Sequence, residues 1–189
     1  MRIIAGFAKG MPLVAPRQGV RPTSDRTRAA IFSSLGGCVV GACVLDLFAG
    51  TGALGLEAAS RGAASATFVE NARGPLECLE GNVGEFIKRL RDKNVAPTIF
   101  DITQGDVATV LERMKTGGQR FSIIFADPPY GEAAQELLRD DRLRSLLVND
   151  GLFVLESAKR DVLTVSRPWA LVRDGVYGDT RVSFLRTKC

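Results

Sequence analysis

Four consecutive residues near the middle of the chain combine an acid, two prolines and an aromatic ring. Asp127, Pro128, Pro129 and Tyr130 directly follow the apolar run 121–126, which is typical of a buried strand. The prolines fix φ and remove backbone donors, so the Asp127 carboxylate and the neighbouring carbonyls are held as hydrogen-bond acceptors. Acceptors beside an aromatic plane suit a planar base whose exocyclic amine is held while its ring is stacked. The alternative is a proline-rich turn without chemistry of its own.

A glycine-rich turn lies upstream, between an apolar strand and a helix rich in Ala and Leu. Gly50, Gly52 and Gly55 satisfy the G-x-G-x-x-G spacing, and Glu70 ends the next apolar run 18 residues after Gly52. The glycines let a ligand approach the backbone closely, and Glu70 can accept hydrogen bonds from ribose hydroxyls. The pattern predicts a site for a cofactor that contains adenosine, although Glu70 could also be a solvated strand end.

Asp46, four residues before the first glycine, restricts the choice of cofactor. A carboxylate at this strand end would repel a pyrophosphate group but would attract a cofactor that carries sulfonium and amino cations. A nicotinamide-dependent oxidoreductase would explain the glycines, yet it gives no role to Asp46, to residues 127–130 or to the basic N-terminal residues. We therefore favour a cationic cofactor over a dinucleotide.

The two motifs, present together and in this order, resemble those of the class I S-adenosylmethionine-dependent methyltransferases. Residues 46–55 match the cofactor loop of that superfamily, and residues 127–130 match its amino-methylating motif. Further upstream, residues 2–6, residues 9–10 and residues 21–28 resemble the N-terminal region of the RsmD-type 16S rRNA guanine-N2 methyltransferases. The resemblance covers nearly the whole chain.

The resemblance implies both a reaction and the residues that carry it. The reaction is transfer of a methyl group from S-adenosylmethionine to the exocyclic N2 amine of a guanine in 16S rRNA, with the RNA or an assembling small ribosomal subunit as partner. The implied catalytic residues are Asp127, Pro128 and Tyr130. The implied cofactor-binding residues are Asp46, Phe48, Ala49, Gly50, Thr51, Gly52, Glu70, Asn71, Asp106, Val107 and Asp127. Asp106 would hold the adenine amino group, although it could instead cap the helix that follows it.

Positive charge is concentrated at the N-terminus. Residues 1–28 hold six cations and one acid, a net charge of +5, against −1 for the rest of the chain. Five of these six cations are arginines, which bind phosphate bidentately and stack on bases. The segment therefore predicts contact with an RNA backbone, with a solvated basic tail as the alternative. The candidate RNA-binding residues are Arg2, Lys9, Arg17, Arg21, Arg26 and Arg28.

Two rival functions share parts of this pattern. A DNA methyltransferase acting on adenine N6 or cytosine N4 could use the same residues 127–130, but the chain has no additional segment large enough to read a DNA sequence. A non-catalytic RNA-binding protein would require a degenerate cofactor site, whereas every expected cofactor position is filled. The chemistry of residues 127–130 suits all three ring-conjugated amines, so guanine N2 depends on the resemblance alone.

Length and composition predict a single cytoplasmic domain. A chain of 189 residues with 46% hydrophobic residues can bury a sizeable core but has no room for a separate substrate domain. It shows no apolar run of membrane-spanning length and no signal-peptide core. The cysteines lack zinc-ligand spacing and the chain has no histidine, so we expect no metal and expect Cys43 and Cys78 to be buried thiols. The expected state is a monomer.

The hydrophobic periodicity predicts an α/β fold that would position these residues. Strands are predicted at about 43–47, 66–70, 98–102, 121–126 and 151–156, and helices at about 53–61, 75–92, 106–115 and 132–148. This alternation predicts a doubly wound, mostly parallel, Rossmann-like sheet. A terminal antiparallel hairpin, formed by residues 169–172 and 181–185, brings the sheet to seven strands.

The chain is predicted to form one methyltransferase domain, 1–189, with three parts. Residues 1–20 form a basic hairpin arm, residues 21–36 a leading helix capped by Thr23 or Ser24, and residues 43–189 the catalytic core. In a parallel sheet the ligand lies beyond the carboxyl ends of the strands. The acids expected at that edge are Asp46, Glu70, Asp106, Asp127 and Glu156. We interpret Glu156 as structural, because Lys159 and Arg160 follow it closely.

Overall fold

Seven strands and six α-helices alternate along the part of the chain that the computed structural model describes, which is residues 1–16, 23–93, 95–129 and 131–187. The strands are β1 (Cys43–Leu47), β2 (Ser65–Glu70), β3 (Ile99–Gln104), β4 (Phe121–Ala126), β5 (Leu147–Ala158), β6 (Trp169–Tyr177) and β7 (Thr180–Thr187). The helices are α1 (Asp25–Leu35), α2 (Ala53–Ser60), α3 (Arg73–Asp92), α4 (Val107–Thr116), α5 (Ala133–Arg139) and α6 (Asp141–Leu146). A short 3₁₀ helix, Gly36–Val39, follows α1.

The strands form one sheet in the order β3-β2-β1-β4-β5-β7-β6. Strands β1 to β5 pair in parallel, and β7 pairs antiparallel with both β5 and β6. The predicted fold class, a mostly parallel seven-stranded sheet with a terminal antiparallel hairpin, is confirmed. The chain reverses its direction of winding between the neighbouring strands β1 and β4, which is where an open α/β sheet offers a crevice for a ligand.

The central strands are buried on both faces, as their apolar sequences require. In β1, Leu45 and Leu47 pack into the cluster formed with α4, α5 and α6. Val44, from the opposite face of the same strand, packs with Ile31 and Phe32 of α1. Helices therefore pack on both faces of the central strands.

The predicted helix at 132–148 is wrong in its extent, since the segment forms two short helices and the start of β5. Asp140 adopts an extended conformation between α5 and α6, and its carboxylate accepts a hydrogen bond from the Arg142 amide at 2.9 Å. This cap favours a new helix start over continuation of α5. Leu147 then pairs with Phe121, so β5 begins four residues earlier than the prediction for 151–156.

Residues 1–16 fold back against α2 and α3. The Ile3 amide donates to the Met11 carbonyl and the Gly10 amide to the Ile3 carbonyl, both at 2.9 Å, which gives a hairpin-like turn. The apolar residues of this turn are buried with side chains of α2 and α3: Ile3, Ala8, Met11 and Leu13. The segment is therefore part of the hydrophobic core and not an arm that stands away from it.

The predicted burial of the cysteines is wrong for Cys43. Cys43 and Cys38 are exposed and Cys78 is half-buried, all as free thiols. Cys43 opens β1 at the amino edge of the sheet, before the strand enters the core. Within the described ranges, no helix has both the length and the apolar character needed to cross a membrane.

Candidate active site

A cavity of about 590 Å³ lies at the carboxyl edge of the sheet, where β1 and β4 diverge. This volume lies within the range of about 300–1,000 Å³ that is usual for sites that bind small molecules. The lining combines the ends of four strands with the start of α1 and the turn between β6 and β7: residues 23, 24, 26, 27, 46, 48–51, 53, 54, 70, 72, 75, 127–129, 156 and 177–180. Asp46, Glu70 and Asp127, predicted at separate strand ends, thus meet at one cavity.

The turn after β1 is held by Glu70. The Gly50 amide donates to Glu70 Oε2 at 2.8 Å, and the Ala72 amide donates to Oε1 at 2.7 Å. A carboxylate oxygen can accept more than one hydrogen bond, so Glu70 retains capacity for a ligand hydroxyl. Phe48, in the same turn, has a φ of +56°, an uncommon conformation for a residue with a side chain. Such strained residues cluster at ligand sites.

The three glycines of the motif have different roles. Gly50 lines the cavity. Gly52 has a φ of +77°, and a Cβ there would overlap the Leu79 side chain. A Cβ at Gly55 would overlap the Phe68 ring. The expectation that all three glycines allow a ligand to approach is therefore corrected: Gly52 and Gly55 allow α2 to pack closely on β2 and α3.

Asp46 lies in the floor of the cavity with only 2% of its surface exposed. Its Oδ2 accepts a hydrogen bond from the Gly55 amide at 2.8 Å. Burial raises the pKa of Asp46 from 3.8 to about 8, the Gly55 amide opposes this rise, and the nearby charges of Asp127 and Glu70 add to it. A cation in the cavity would stabilise the ionised form of Asp46.

Asp127 is joined to Glu156 through Thr23. The Thr23 Oγ1 atom lies 3.1 Å from Asp127 Oδ2 and 3.1 Å from Glu156 Oε1. Burial raises the pKa of Glu156 well above 4.5, Asp127 raises it further, and the Thr23 hydroxyl opposes the rise. Glu156, interpreted from the sequence as structural, therefore lines the cavity and is linked to Asp127 through one hydroxyl.

Among the described lining residues, acids outnumber cations. The carboxylates are Asp46, Glu70, Asp127, Glu156 and Asp179, and the cation is Arg26. An acidic cavity disfavours a pyrophosphate and favours a cationic ligand. The residues present therefore fit the sulfonium and ammonium groups of S-adenosylmethionine better than they fit a nicotinamide dinucleotide.

Comparison with known proteins agrees with this arrangement. A family model described as conserved hypothetical protein 95 matches residues 1–186. The chain belongs to this family. This match and the named relatives together confirm the resemblance to RsmD-type methyltransferases that the motifs carry.

Two named relatives and one solved structure are similar to the chain over most of its length. The chain is 34% identical over 184 residues to the ribosomal RNA small subunit methyltransferase D of Escherichia coli, covering 94% of this chain and 85% of that protein. It is 31% identical to the protein of the same name from Haemophilus influenzae, with 94% and 89% covered. A hypothetical protein of Thermus thermophilus superposes with a TM-score of 0.79 at 30% identity, covering 100% and 99% of the two chains.

Four predicted cofactor residues of this family member do not line the cavity. Gly52 lies close to Leu79 of α3. Val107 is buried in the hydrophobic core. Asn71 is exposed beside Glu70. Asp106 caps α4 by accepting from the Thr109 amide at 3.2 Å, which is the alternative that the sequence left open. Tyr130 lies outside the described residues.

The predicted RNA-binding cations divide into exposed and buried residues. Arg2, Lys9 and Arg26 are exposed, and Arg26 lies at the cavity. Arg28 is fully buried, and its Nη2 donates to the Arg2 carbonyl at 2.7 Å and to Asp25 Oδ1 at 2.6 Å. The prediction that Arg28 contacts RNA is therefore wrong, because it lies on the inner face of α1. Arg17 and Arg21 lie outside the described residues.

The turn between β6 and β7 belongs to the site, although its position at the cavity was not predicted. Tyr177 pairs with Thr180 across this turn, and residues 177–180 line the cavity. The sequence indicated a hairpin turn at Tyr177, Gly178 and Asp179. Its proximity to the site follows from the pairing of β7 with β5, which local sequence does not reveal.

Proposed function

We propose that the protein methylates the exocyclic N2 amine of a guanine in small-subunit ribosomal RNA, with S-adenosylmethionine as methyl donor. The observation that carries this proposal is the meeting of Asp46, Glu70 and Asp127 at one acidic cavity beside the glycine turn. The names of the Escherichia coli and Haemophilus influenzae relatives support ribosomal RNA as the substrate class. Guanine N2, as opposed to another amine, follows from the resemblance to RsmD-type enzymes.

Asp46, Glu70 and the 48–51 turn would hold the cofactor. Glu70, already oriented by the amides of Gly50 and Ala72, would accept hydrogen bonds from the ribose hydroxyls. Asp46 would face the cationic end of the cofactor. Bound S-adenosylmethionine would supply the electrophilic methyl group for the reaction.

Asp127 and the Pro128 carbonyl would hold the reacting amine. A ring-conjugated amine is a weak nucleophile, because its lone pair delocalises into the ring. Acceptors that hold the amine hydrogens favour a pyramidal nitrogen and direct its lone pair toward the methyl carbon. The proton lost after methylation passes to Asp127 or to water. Tyr130 remains the predicted stacking partner of the base, a contact that contributes about 1–3 kcal/mol per base in other systems.

The exposed cations would guide the RNA to the cavity. Arg26 lies at the cavity itself, and Arg2 lies near the same end of α1, with its Nε 3.9 Å from Asp25 Oδ2. Phosphate contacts of this kind position an RNA without reading its sequence. A ribosomal substrate agrees with the cytoplasmic location expected from the sequence.

Transfer of labelled methyl groups tests this function. S-adenosylmethionine with a labelled methyl group would be offered with unmodified 30S subunits, stripped 16S rRNA and duplex DNA in parallel, and the product nucleoside identified. We expect N2-methylguanosine in a ribosomal sample. Label found only in DNA, as methyladenine or methylcytosine, would support methylation of an exocyclic amine but contradict ribosomal RNA as the substrate.

Asp127→Ala tests the catalytic assignment in the same assay. We expect turnover to fall by roughly 10²–10³, the scale seen when one oriented polar group is removed from a reaction centre, with a small change in cofactor Kd. Asp101→Ala, an exposed acid on β3, is the matched control. Turnover of Asp127→Ala within a few-fold of the control would exclude Asp127 as the amine acceptor.

A further inference from the structure

One hydroxyl group bridges two carboxyl groups in the cavity. Thr23 Oγ1 lies 3.1 Å from both Asp127 Oδ2 and Glu156 Oε1. A hydroxyl carries one hydrogen, so it cannot donate fully to two carboxylates. The arrangement is satisfied when one of the two carboxyl groups is protonated and donates to Thr23, while Thr23 donates to the other.

Of the two carboxyl groups, Glu156 lies in the environment that favours a proton more strongly. Only 2% of its surface is exposed, whereas Asp127 is partly exposed to the cavity. Burial, followed by the charge of Asp127, raises the pKa of Glu156 well above 4.5; Asp46 on β1 adds to the rise, and Arg28 on α1 opposes it. With this proton on Glu156, the Glu156 carboxyl group would donate to Thr23, and the Thr23 hydroxyl would then donate to Asp127 Oδ2.

We propose that Thr23 and Glu156 are positioning residues that keep Asp127 ionised and oriented toward the target amine. This inference rests on the proposed methyltransferase function. It gives roles to a threonine just before α1 and to an acid on β5, neither of which need touch the substrate or the cofactor.

Methyl transfer depends on the charge of Asp127. The amine lone pair forms the new N–C bond, the bond between the methyl carbon and its leaving group breaks, and the extra proton on nitrogen passes to Asp127 or to water. An ionised Asp127 accepts the amine hydrogens beforehand and stabilises the positive charge that develops on nitrogen. A protonated or rotated Asp127 does neither.

Substitution of Thr23 tests the chain of hydrogen bonds. Thr23→Val keeps the shape and removes the hydroxyl, and Thr23→Ser keeps the hydroxyl. We expect Thr23→Val to lower kcat by roughly 10- to 100-fold, the scale of one charge-assisted hydrogen bond, with a much smaller change in cofactor KM. Thr23→Ser should recover most of the loss. Equal kcat values for the valine and serine variants would overturn the proposal.

Substitution of Glu156 tests which group carries the proton. Glu156→Gln retains a donor toward Thr23, whereas Glu156→Leu does not, so the glutamine variant should retain far more turnover. In the wild type, kcat at saturating cofactor should fall as pH rises through the ionisation of Glu156, because the new carboxylate competes for the Thr23 hydrogen. This alkaline decline should be absent from Glu156→Gln. Identical pH profiles in wild type and Glu156→Gln would count against the proposal.

Infrared spectroscopy gives a readout that does not depend on turnover. At neutral pH the wild type should show the carbonyl absorption of protonated carboxyl groups, part of which Glu156→Gln removes. Asp46→Asn assigns the share that belongs to Asp46, whose pKa is about 8. An unchanged band in Glu156→Gln would show that Glu156 is ionised, and the proposal would fail. Absence of methyl transfer by the wild type would refute the proposed function instead, while the infrared result would still report on Glu156.

Discussion

The Oδ2 atom of Asp46 accepts a hydrogen bond from the Gly55 amide at 2.8 Å, which joins the carboxyl end of β1 to the first turn of α2. The same carboxylate is buried beside Asp127 and Glu70, and burial with these charges raises its pKa to about 8. The Gly55 amide therefore stabilises the ionised form of Asp46, whereas burial and the two neighbouring carboxylates destabilise it. A cation bound next to Asp46 would stabilise its ionised form and lower its pKa. Binding of a cationic ligand would therefore be coupled to release of a proton from Asp46.

Binding of S-adenosylmethionine at pH 7 is expected to release a proton from Asp46. Titration calorimetry in two buffers with different ionisation enthalpies measures the number of protons released. Asp46→Asn should bind more weakly and lack this release, and any proton from the ligand itself appears in both proteins and cancels. Equal proton release by wild type and Asp46→Asn would show that Asp46 does not ionise on binding.

The same pKa predicts how stability without ligand depends on pH. Asp46 keeps its proton in the folded protein up to about pH 8 but releases it near pH 3.8 in the unfolded chain. The contribution of Asp46 to the free energy of unfolding is therefore complete below pH 3.8 and declines as pH rises to about 8. Urea denaturation across this range should show a smaller decline in Asp46→Asn than in the wild type.

Local sequence was sufficient to predict strand β4 and the start of helix α1. The apolar run 121–126 predicted a buried strand, and β4 has these bounds. Ser24 was one of two candidate caps, and its Oγ accepts from the Thr27 amide at 3.0 Å. The Ser24 cap joins residues three positions apart. Strand β4 pairs with the distant strands β1 and β5, but its consecutive apolar residues mark it in the local sequence.

Contacts between distant residues were not predictable in the same way. Thr23 meets Glu156 across 133 positions, and no local pattern marks either residue as a partner of the other. Glu57, in an Ala-rich helix, accepts from the Ile4 amide at 2.7 Å and from the Ala5 amide at 3.0 Å. These pairs depend on the arrangement of whole elements around the sheet.

Arg28, by contrast, carried a local signal that charge counting overlooked. It precedes Ile31 and Phe32 by three and four residues, so it shares their face of α1. That face packs against the sheet. Helical spacing would therefore have predicted burial of Arg28 before any count of basic residues assigned it to RNA.

Gly6→Ala should destabilise the protein more than Gly10→Ala. Both glycines have left-handed φ values, +81° and +84°, so both substitutions cost about 1–2 kcal/mol in backbone strain. A Cβ at Gly6 also overlaps the Ser60 carbonyl, whereas a Cβ at Gly10 has no close neighbour within 4 Å among the described residues. Urea denaturation would measure the difference. Equal losses for the two variants would contradict the close packing of residues 1–16 on α2.

Gly81→Ala and Gly55→Ala are expected to have opposite effects, although both glycines lie in helices. In the part of the chain that the structure describes, a Cβ at Gly81 on α3 has no packing neighbour within 4 Å, so alanine should raise the free energy of unfolding by about 0.5–1 kcal/mol. A Cβ at Gly55 overlaps the Phe68 ring and lies 3.2 Å from Asp46 Oδ2, so alanine should lower both stability and cofactor affinity. Thermal denaturation and a cofactor titration test the pair. Stabilisation by Gly55→Ala would show that α2 has room to move away from β2.

Alanine substitutions of Arg26 and Arg28, which lie two positions apart on α1, should separate an effect on RNA binding from an effect on folding. Arg26 is exposed at the cavity, so Arg26→Ala should weaken RNA binding and reduce the slope of log K against log salt by roughly one unit, without unfolding the protein. Arg28→Ala removes the buried donor to Asp25 and to the Arg2 carbonyl, so it should lower the free energy of unfolding. Filter binding across a range of salt concentrations and urea denaturation would be measured on both variants. An unchanged salt slope in Arg26→Ala would remove Arg26 from the RNA contact, and full stability of Arg28→Ala would contradict the burial of its guanidinium.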